Sequence, residues 1–153
     1  MLDPEAPLEA VAEGFMALSS GAVEAPPRQA VAADAGSVLT MSGRRAGAPV
    51  TVKLVGVFPG NVEVGLDAHP AVIVLLDAST GRALALMDGE AITALRTAAG
   101  SAVATRALAR EDARVLAVVG SGVQARAHLR MVPLVRDFTD IRLVARDPTA
   151  AER

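Results

Sequence analysis

Val115-Leu116-Ala117-Val118-Val119-Gly120-Ser121-Gly122-Val123-Gln124-Ala125 is the stretch on which the fold reading turns. An apolar, Val-rich run stops at two glycines, and a helical pattern follows. This predicts a strand over 114–119, a tight turn at Gly120 and a helix from about Val123 to Val135. Each residue of Gly120-x-Gly122-x-x-Ala125 has a job in a phosphate-cradling turn. Gly120 permits the turn, Gly122 lets backbone N–H groups approach a pyrophosphate, and the small Ala125 allows the helix to pack closely on the strand. The helix N-terminus adds positive potential. A glycine pattern alone is weak, and its placement between strand and helix is what makes it a dinucleotide-binding fingerprint. A second strand over 140–145 completes a β-α-β unit, and Thr149 to Arg153 has the pattern of a further helix start. The end of that second strand discriminates between cofactors: an acid there holds a ribose hydroxyl, as with NAD, and a base accommodates the 2′-phosphate of NADP. Arg146 comes first and Asp147 second, which favours NADP over NAD, although Arg146 also reads as a solvated loop charge.

Upstream, the period changes. Asp88 is placed to cap a long helix from about Gly89 to Ala109, with Ile92, Leu95, Ala99, Val103 and Ala107 on one apolar stripe. Before it, Ala71–Asp77 and Ala83–Met87 flank the turn Ala78-Ser79-Thr80-Gly81 as a hairpin. Ser37–Ser42 and Val50–Phe58 read as strands around Gly43–Gly47, Phe58-Pro59-Gly60-Asn61 as a turn, and Ala25-Pro26-Pro27-Arg28 as extended chain. Leu8–Leu18 has helical spacing and is stopped by Gly21. The expected organisation is an α+β domain over 1–110, followed over 111–153 by the start of an α/β dinucleotide-binding domain.

Composition narrows the function classes. Hydrophobic residues make up 52% of the 153, enough for a core. Aromatics are only 2%, so that core is built from aliphatic side chains. A net charge of -2 gives no electrostatic reason to expect nucleic acid or an anionic membrane as partner. The absence of cysteine excludes disulfides, thiolate nucleophiles and thiolate metal sites. The acidic start Met1-Leu2-Asp3-Pro4-Glu5 lacks the basic region of a signal peptide, and the apolar runs are too short to span a bilayer. The expectation is a soluble cytoplasmic protein.

Three cations stand out in the first domain. Arg28 follows the proline pair. Lys53 lies inside an otherwise apolar strand, where a charge is costly unless it is paired or faces a cleft. Arg96 sits in an Ala-rich helix. Converging on one pocket, they would hold a carboxylate, an arginine bidentately. Taken singly, each is more often a surface charge or a structural ion pair. His69 and His128 share no metal-ligand spacing, so no metal is expected, and His128 reads as a helix-surface residue. Ser19, Ser20 and Ser121 have no neighbouring base, so no hydrolase triad is read.

Together these segments resemble the ornithine cyclodeaminase/mu-crystallin family. The resemblance is carried by Pro27-Arg28, Val52–Val55, Pro59-Gly60-Asn61, Asp77 through Gly81, Leu86–Gly89, Ile92–Ser101 and Gly120–Ala125, including the Gln after the second glycine. It implies an α+β domain that binds substrate and makes a homodimer interface, followed by a Rossmann domain, with the active site between them. It implies that Arg28, Lys53 and Arg96 contact the amino-acid carboxylate and the reacting centre, with Lys53 catalytic, and that Thr97, Gly122, Val123 and Gln124 lie near NAD or NADP. The implied reaction for a cyclodeaminase oxidises the α-carbon of ornithine to an imine, closes the ring with loss of ammonia, and reduces the cyclic imine to proline. Relatives include amino-acid dehydrogenases and ketimine reductases, and the fold does not choose among them.

Two departures qualify the resemblance. Leu66-Asp67-Ala68-His69 follows Gly65 where relatives often carry a Pro-Thr pair. Relatives are also about twice as long, because a full dinucleotide fold needs more strands than one β-α-β unit supplies. The expectation is that these 153 residues are inactive alone, since hydride transfer needs both walls of a cleft. The competing readings are a non-catalytic binding or dimerisation module, such as a truncated mu-crystallin-like protein, and a generic α/β fragment with no small-molecule role.

Overall fold

The structure is a computed structural model in which residues 5–146 are described. Asp147 and the helix start read at Thr149 lie outside that range. By its contacts the chain divides into two compact units, Phe15–Ile92 on one side and Met1–Gly14 together with Thr93–Arg153 on the other. Where the sequence suggested a boundary near residue 110, the contacts divide inside the long helix. The reason is the second unit's core, which recruits the start of the first helix.

The first unit is built on a six-stranded antiparallel sheet. Its strands are β1 (Val23–Glu24), β2 (Gln29–Ala33), β3 (Gly36–Arg45), β4 (Val50–Val57), β5 (Ala71–Leu76) and β6 (Ala83–Asp88). β3, β4, β5 and β6 follow one another across the sheet, while β1 and β2 share the outer edge of β3. Ala25-Pro26-Pro27-Arg28 separates those two edge strands, because prolines carry no N–H for a ladder. β2 was not legible as a strand: Gln29-Ala30-Val31-Ala32-Ala33 has weak strand propensity. Pairing with β3 through the two-residue turn at Asp34-Ala35 makes it one. The expected turn at Phe58–Asn61 is a longer 3-10 helix, Pro59–Val64, ended by Gly65 at φ +76°.

Register fixes the two faces of this sheet. One cross-strand row is Met41, Lys53, Ile73 and Met87. The neighbouring row is Gln29, Thr40, Leu54, Val72 and Asp88, whose side chains take the opposite face. Ile73 is buried, whereas Val31, Val38, Leu54 and Leu86 on the other face are exposed, Leu86 by 73%. The sheet therefore presents an apolar face that the described residues leave uncovered.

The second unit joins α1 (Ala6–Ser19), α2 (Gly89–Leu108), β7 (Val115–Val119), α3 (Val123–Met131) and β8 (Asp140–Val144). Helices α1 and α2 begin or end in the first unit. β7 and β8 pair in parallel across α3, giving a β-α-β unit. The core is Leu8, Ala98, Ala99, Ala102, Met131 and Val132, with Val11, Val103 and Leu116 packed on it. The expected stripe on α2 was right at Ala99 and Val103. It missed Ala98 and Ala102, because in a helix so rich in alanine the apolar pattern does not point to one side. An exposed Glu9–Arg106 pair at 2.7 Å adds to the α1–α2 contact. α3 ends earlier than expected, at Met131, and Val132–Leu134 is a 3-10 turn. Pro133 has no N–H to donate the next helical bond, so the α ladder stops there although Val132 itself keeps α dihedrals, φ −65° and ψ −37°.

Candidate functional site

The glycine turn has the conformation its sequence demands. Gly120 has φ +114°, a region side-chain-bearing residues avoid, while nothing lies within 4 Å of a Cβ built there. The constraint is thus backbone shape and not space. Its N–H donates to the Val144 carbonyl at 2.8 Å, tying the ends of β7 and β8 together. Gly122 is different: it is extended, with φ −77° and ψ −172°, and serves as the N-cap of α3 without a side-chain capping bond. A Cβ there would also point into open space. The first N–H groups of α3 therefore face outward with no side chain across them. Behind them Ala125 is only 8% exposed, where the helix meets β7.

The turn opens on a cleft of about 560 Å³ lined by Gly120, Ser121, Gly122, Val144 and Arg146. Arg146 is exposed at the end of β8 and shares this cleft with the turn. Val123 and Gln124 form the first turn of α3 and are exposed. The residues present fit a dinucleotide phosphate: an anion-ready helix end, a glycine that keeps the approach open, and one cation within the cleft.

On α2, Arg96 is exposed and Thr97 is partly buried. The Thr97 hydroxyl donates to the Thr93 carbonyl at 2.6 Å, which leaves its oxygen lone pairs for another donor. One turn further on, Ser101 meets His128 of α3: its Oγ lies 2.8 Å from Nε2. His128 Nδ1 lies 2.7 Å from the Gln124 carbonyl. His128 is thus a partly exposed residue of α3, as expected of a helix surface, with both ring nitrogens in hydrogen-bond contact. The signal was the spacing of four, Thr97-Ser101-Thr105 on α2 and Gln124-His128 on α3, which sets each group on one helix face.

In the first unit, Lys53 is partly buried between its register partners Met41 and Ile73. Arg28 is exposed at the gap in the outer edge, one residue before Gln29, which pairs with Thr40. Arg28 thus stands one residue outside the β2–β3 ladder, whose first pair, Gln29–Thr40, neighbours the Met41–Lys53 pair. Two carboxylates nearby in sequence are perturbed in opposite directions. Asp77 accepts from the Thr80 hydroxyl and from the Thr80 and Ser79 N–H groups, and these bonds hold its carboxyl below the usual value. Glu90 is pushed up, first by desolvation, then by the Asp67 carboxyl with which it shares a hydrogen bond, and by Asp88.

Comparison with known proteins follows the same outline. The family model described as "Ornithine cyclodeaminase/mu-crystallin family" matches residues 3–153. Ketimine reductase mu-crystallin of Mus musculus is 37% identical over 96% of this chain and 48% of its own length. The Thermococcus litoralis Δ1-pyrroline-2-carboxylate reductase, solved with NADH and L-proline, superimposes with a TM-score of 0.91 at 35% identity over 99% of this chain and 48% of that one. An archaeal alanine dehydrogenase dimer with bound NAD superimposes with a TM-score of 0.93 at 29% identity, covering 99% of this chain and 47% of that one. The chain spans about half the length of these relatives. A match along nearly its whole length to one family model, reached independently by fold, settles its kinship: the chain belongs to the ornithine cyclodeaminase/mu-crystallin family.

Proposed function

We propose that the chain is the substrate-binding and dimerisation part, with the start of a Rossmann domain, of an NAD(P)-dependent enzyme acting on a small amino acid or cyclic imino acid. Within that class we favour ornithine cyclodeamination to proline and ammonia, or a related amino-acid dehydrogenase or ketimine reductase reaction. The observation that carries the reading is the Gly120–Gln124 turn, with its left-handed glycine and uncapped helix end opening on the cleft that holds Arg146.

Gly120, Gly122, Val123 and Gln124 cradle the dinucleotide phosphates with backbone N–H groups, and Thr97 lies toward the cofactor. Arg146 accommodates the 2′-phosphate, so NADP is preferred over NAD. The nicotinamide, when bound, supplies hydride exchange with the substrate carbon. Arg28 and Arg96 hold the substrate carboxylate, each able to donate a bidentate pair. Lys53 presents its ammonium from an apolar row, where attraction to the carboxylate or the reacting nitrogen is less weakened by water. Orientation of the substrate carbon by these three cations is the protein's share of the rate.

The uncovered apolar sheet face supports a homodimer through the first unit, and it also favours the second reading, a dimerisation or binding module without turnover. The test is a polypeptide containing this chain at the length of its relatives, assayed across amino acids and cyclic imines by nicotinamide absorbance. Turnover that falls by about a hundredfold or more in Lys53→Met supports the enzyme. No turnover across the panel overturns it and leaves the module.

A further inference from the structure

The link between Ser101 and His128 does not belong to any role assigned above. A main-chain carbonyl can only accept, so the 2.7 Å contact from Nδ1 to the Gln124 oxygen places a proton on Nδ1. In the neutral ring Nε2 then bears the lone pair, and Ser101, 2.8 Å away, donates its hydroxyl to it. Both ring nitrogens are used, and the ring bridges α2 to the carbonyl of the residue that closes the phosphate turn. The arrangement is not nucleophilic. Ser101 sits in mid-helix, where neighbouring N–H groups are spent on helical bonds and none is left to stabilise an oxyanion.

Geometry gives the link a different use. α3 has no side-chain cap at its start; its first turn is held by the Arg126 N–H to the Gly122 carbonyl at 3.2 Å and by Arg126 Nε to the Ser121 carbonyl at 3.4 Å, bonds that lie within the turn and α3 itself. The bridge enters α3 one turn later and ties it to α2, one turn after Thr97. We propose that Ser101 and His128 are positioning residues that hold the Gly120–Gln124 turn in register with Thr97 on α2, and so set dinucleotide affinity without touching the dinucleotide. The inference rests on the dinucleotide reading above.

The test uses a polypeptide of the relatives' length, with four variants: Ser101→Ala, His128→Leu, His128→Asn and His128→Gln. Gln places an amide oxygen near the position of Nε2 and can keep the Ser101 bond, and Asn cannot. NADPH and NADH affinities are read from the cofactor's own fluorescence. Ser101→Ala, His128→Leu and His128→Asn are expected to weaken binding by about fivefold to tenfold, the worth of one hydrogen bond, and His128→Gln by less than about threefold. Thermal midpoints are expected to stay within a few degrees. Equal losses in all three His128 variants, unchanged affinity throughout, or losses that track the thermal midpoint overturn the proposal. An independent readout is the pair of ¹⁵N shifts of the His128 ring, expected to show protonated Nδ1 and bare Nε2; the reverse pattern overturns it. Failure of the parent protein to bind either cofactor overturns the dinucleotide reading itself, and the ring shifts still report on the link.

Discussion

Gly89 stands against Ala71 so closely that a methyl group on its α-carbon would lie 2.7 Å from the Ala71 Cβ and 2.8 Å from its carbonyl carbon. This is the point where β6 becomes α2, with the Asp88 carboxylate accepting from the Glu90 N–H at 2.8 Å. Gly89→Ala is expected to destabilise the protein by about 1–3 kcal/mol, the usual cost of forcing a methyl group into a packed site. Urea denaturation measures it. Ala71→Gly in the same chain should recover part of the loss, and an additive double mutant would show that the clash is not the cause.

Gly120 gives a prediction of a different kind. A side chain there meets no neighbour but must adopt φ +114°. Gly120→Ala is expected to cost about 1–2 kcal/mol in backbone strain, and to weaken nicotinamide dinucleotide binding as the turn shifts. Gly122→Ala, at an extended φ, should leave stability nearly unchanged and lower affinity alone. Comparing thermal midpoint with cofactor affinity for the two variants separates strain from obstruction.

Arg136 closes the far end of α2. Its Nη2 donates to the carbonyls of Arg106 at 2.9 Å and Ala109 at 3.1 Å, and its Nε to that of Arg110 at 3.4 Å. Arg136→Met keeps the stem and removes these donors. The last turn of α2 is expected to fray, with a loss of about 1–2 kcal/mol. Hydrogen exchange should speed up at 105–109 and stay unchanged in β7. Uniform acceleration across the unit would argue against capping.

The two perturbed carboxylates act oppositely with pH. Asp77 is held below its ordinary value near 3.8, so its bonds to Ser79 and Thr80 stabilise the turn above that value and are lost as pH falls through the lower folded value. Exchange at the Ser79 and Thr80 amides should accelerate in acid, and Asp77→Asn, which keeps the acceptor without the charge, should flatten the dependence. Glu90 is held above its ordinary value near 4.5, so its contribution is fully present below that value and is lost as pH rises through the higher folded value. Glu90→Gln is therefore expected to be more stable than the parent at neutral pH, with the gap closing in acid. A constant gap would rule this out.

Much of this was legible in the chain because local rules and tertiary structure agree there. The strand ending at Val119, the glycine turn and the opening of α3 needed no outside partner to specify them. Gln29–Ala33 was illegible because its strand character comes from β3, not from its own side chains. Ala98 and Ala102 were hidden because alanine suits a core and a surface equally well. The spacing of four set His128 and Ser101 each on a helix face, but only the packing of α2 against α3 shows that these faces meet across 27 positions. The three cations were picked out singly; strand pairing then showed the first pair of the β2–β3 ladder, one residue after Arg28, to neighbour the Met41–Lys53 pair.

The proline pair at the sheet edge has one more effect. β1 contributes two residues and β2 five, and Pro26-Pro27 keeps them from fusing into one long open ladder. An approaching foreign strand finds short templates separated by residues that cannot donate. With Val31 of β2 exposed, a continuous edge here would invite fibrillar stacking. The interruption just before Arg28 thus acts as a gatekeeper against self-templated aggregation.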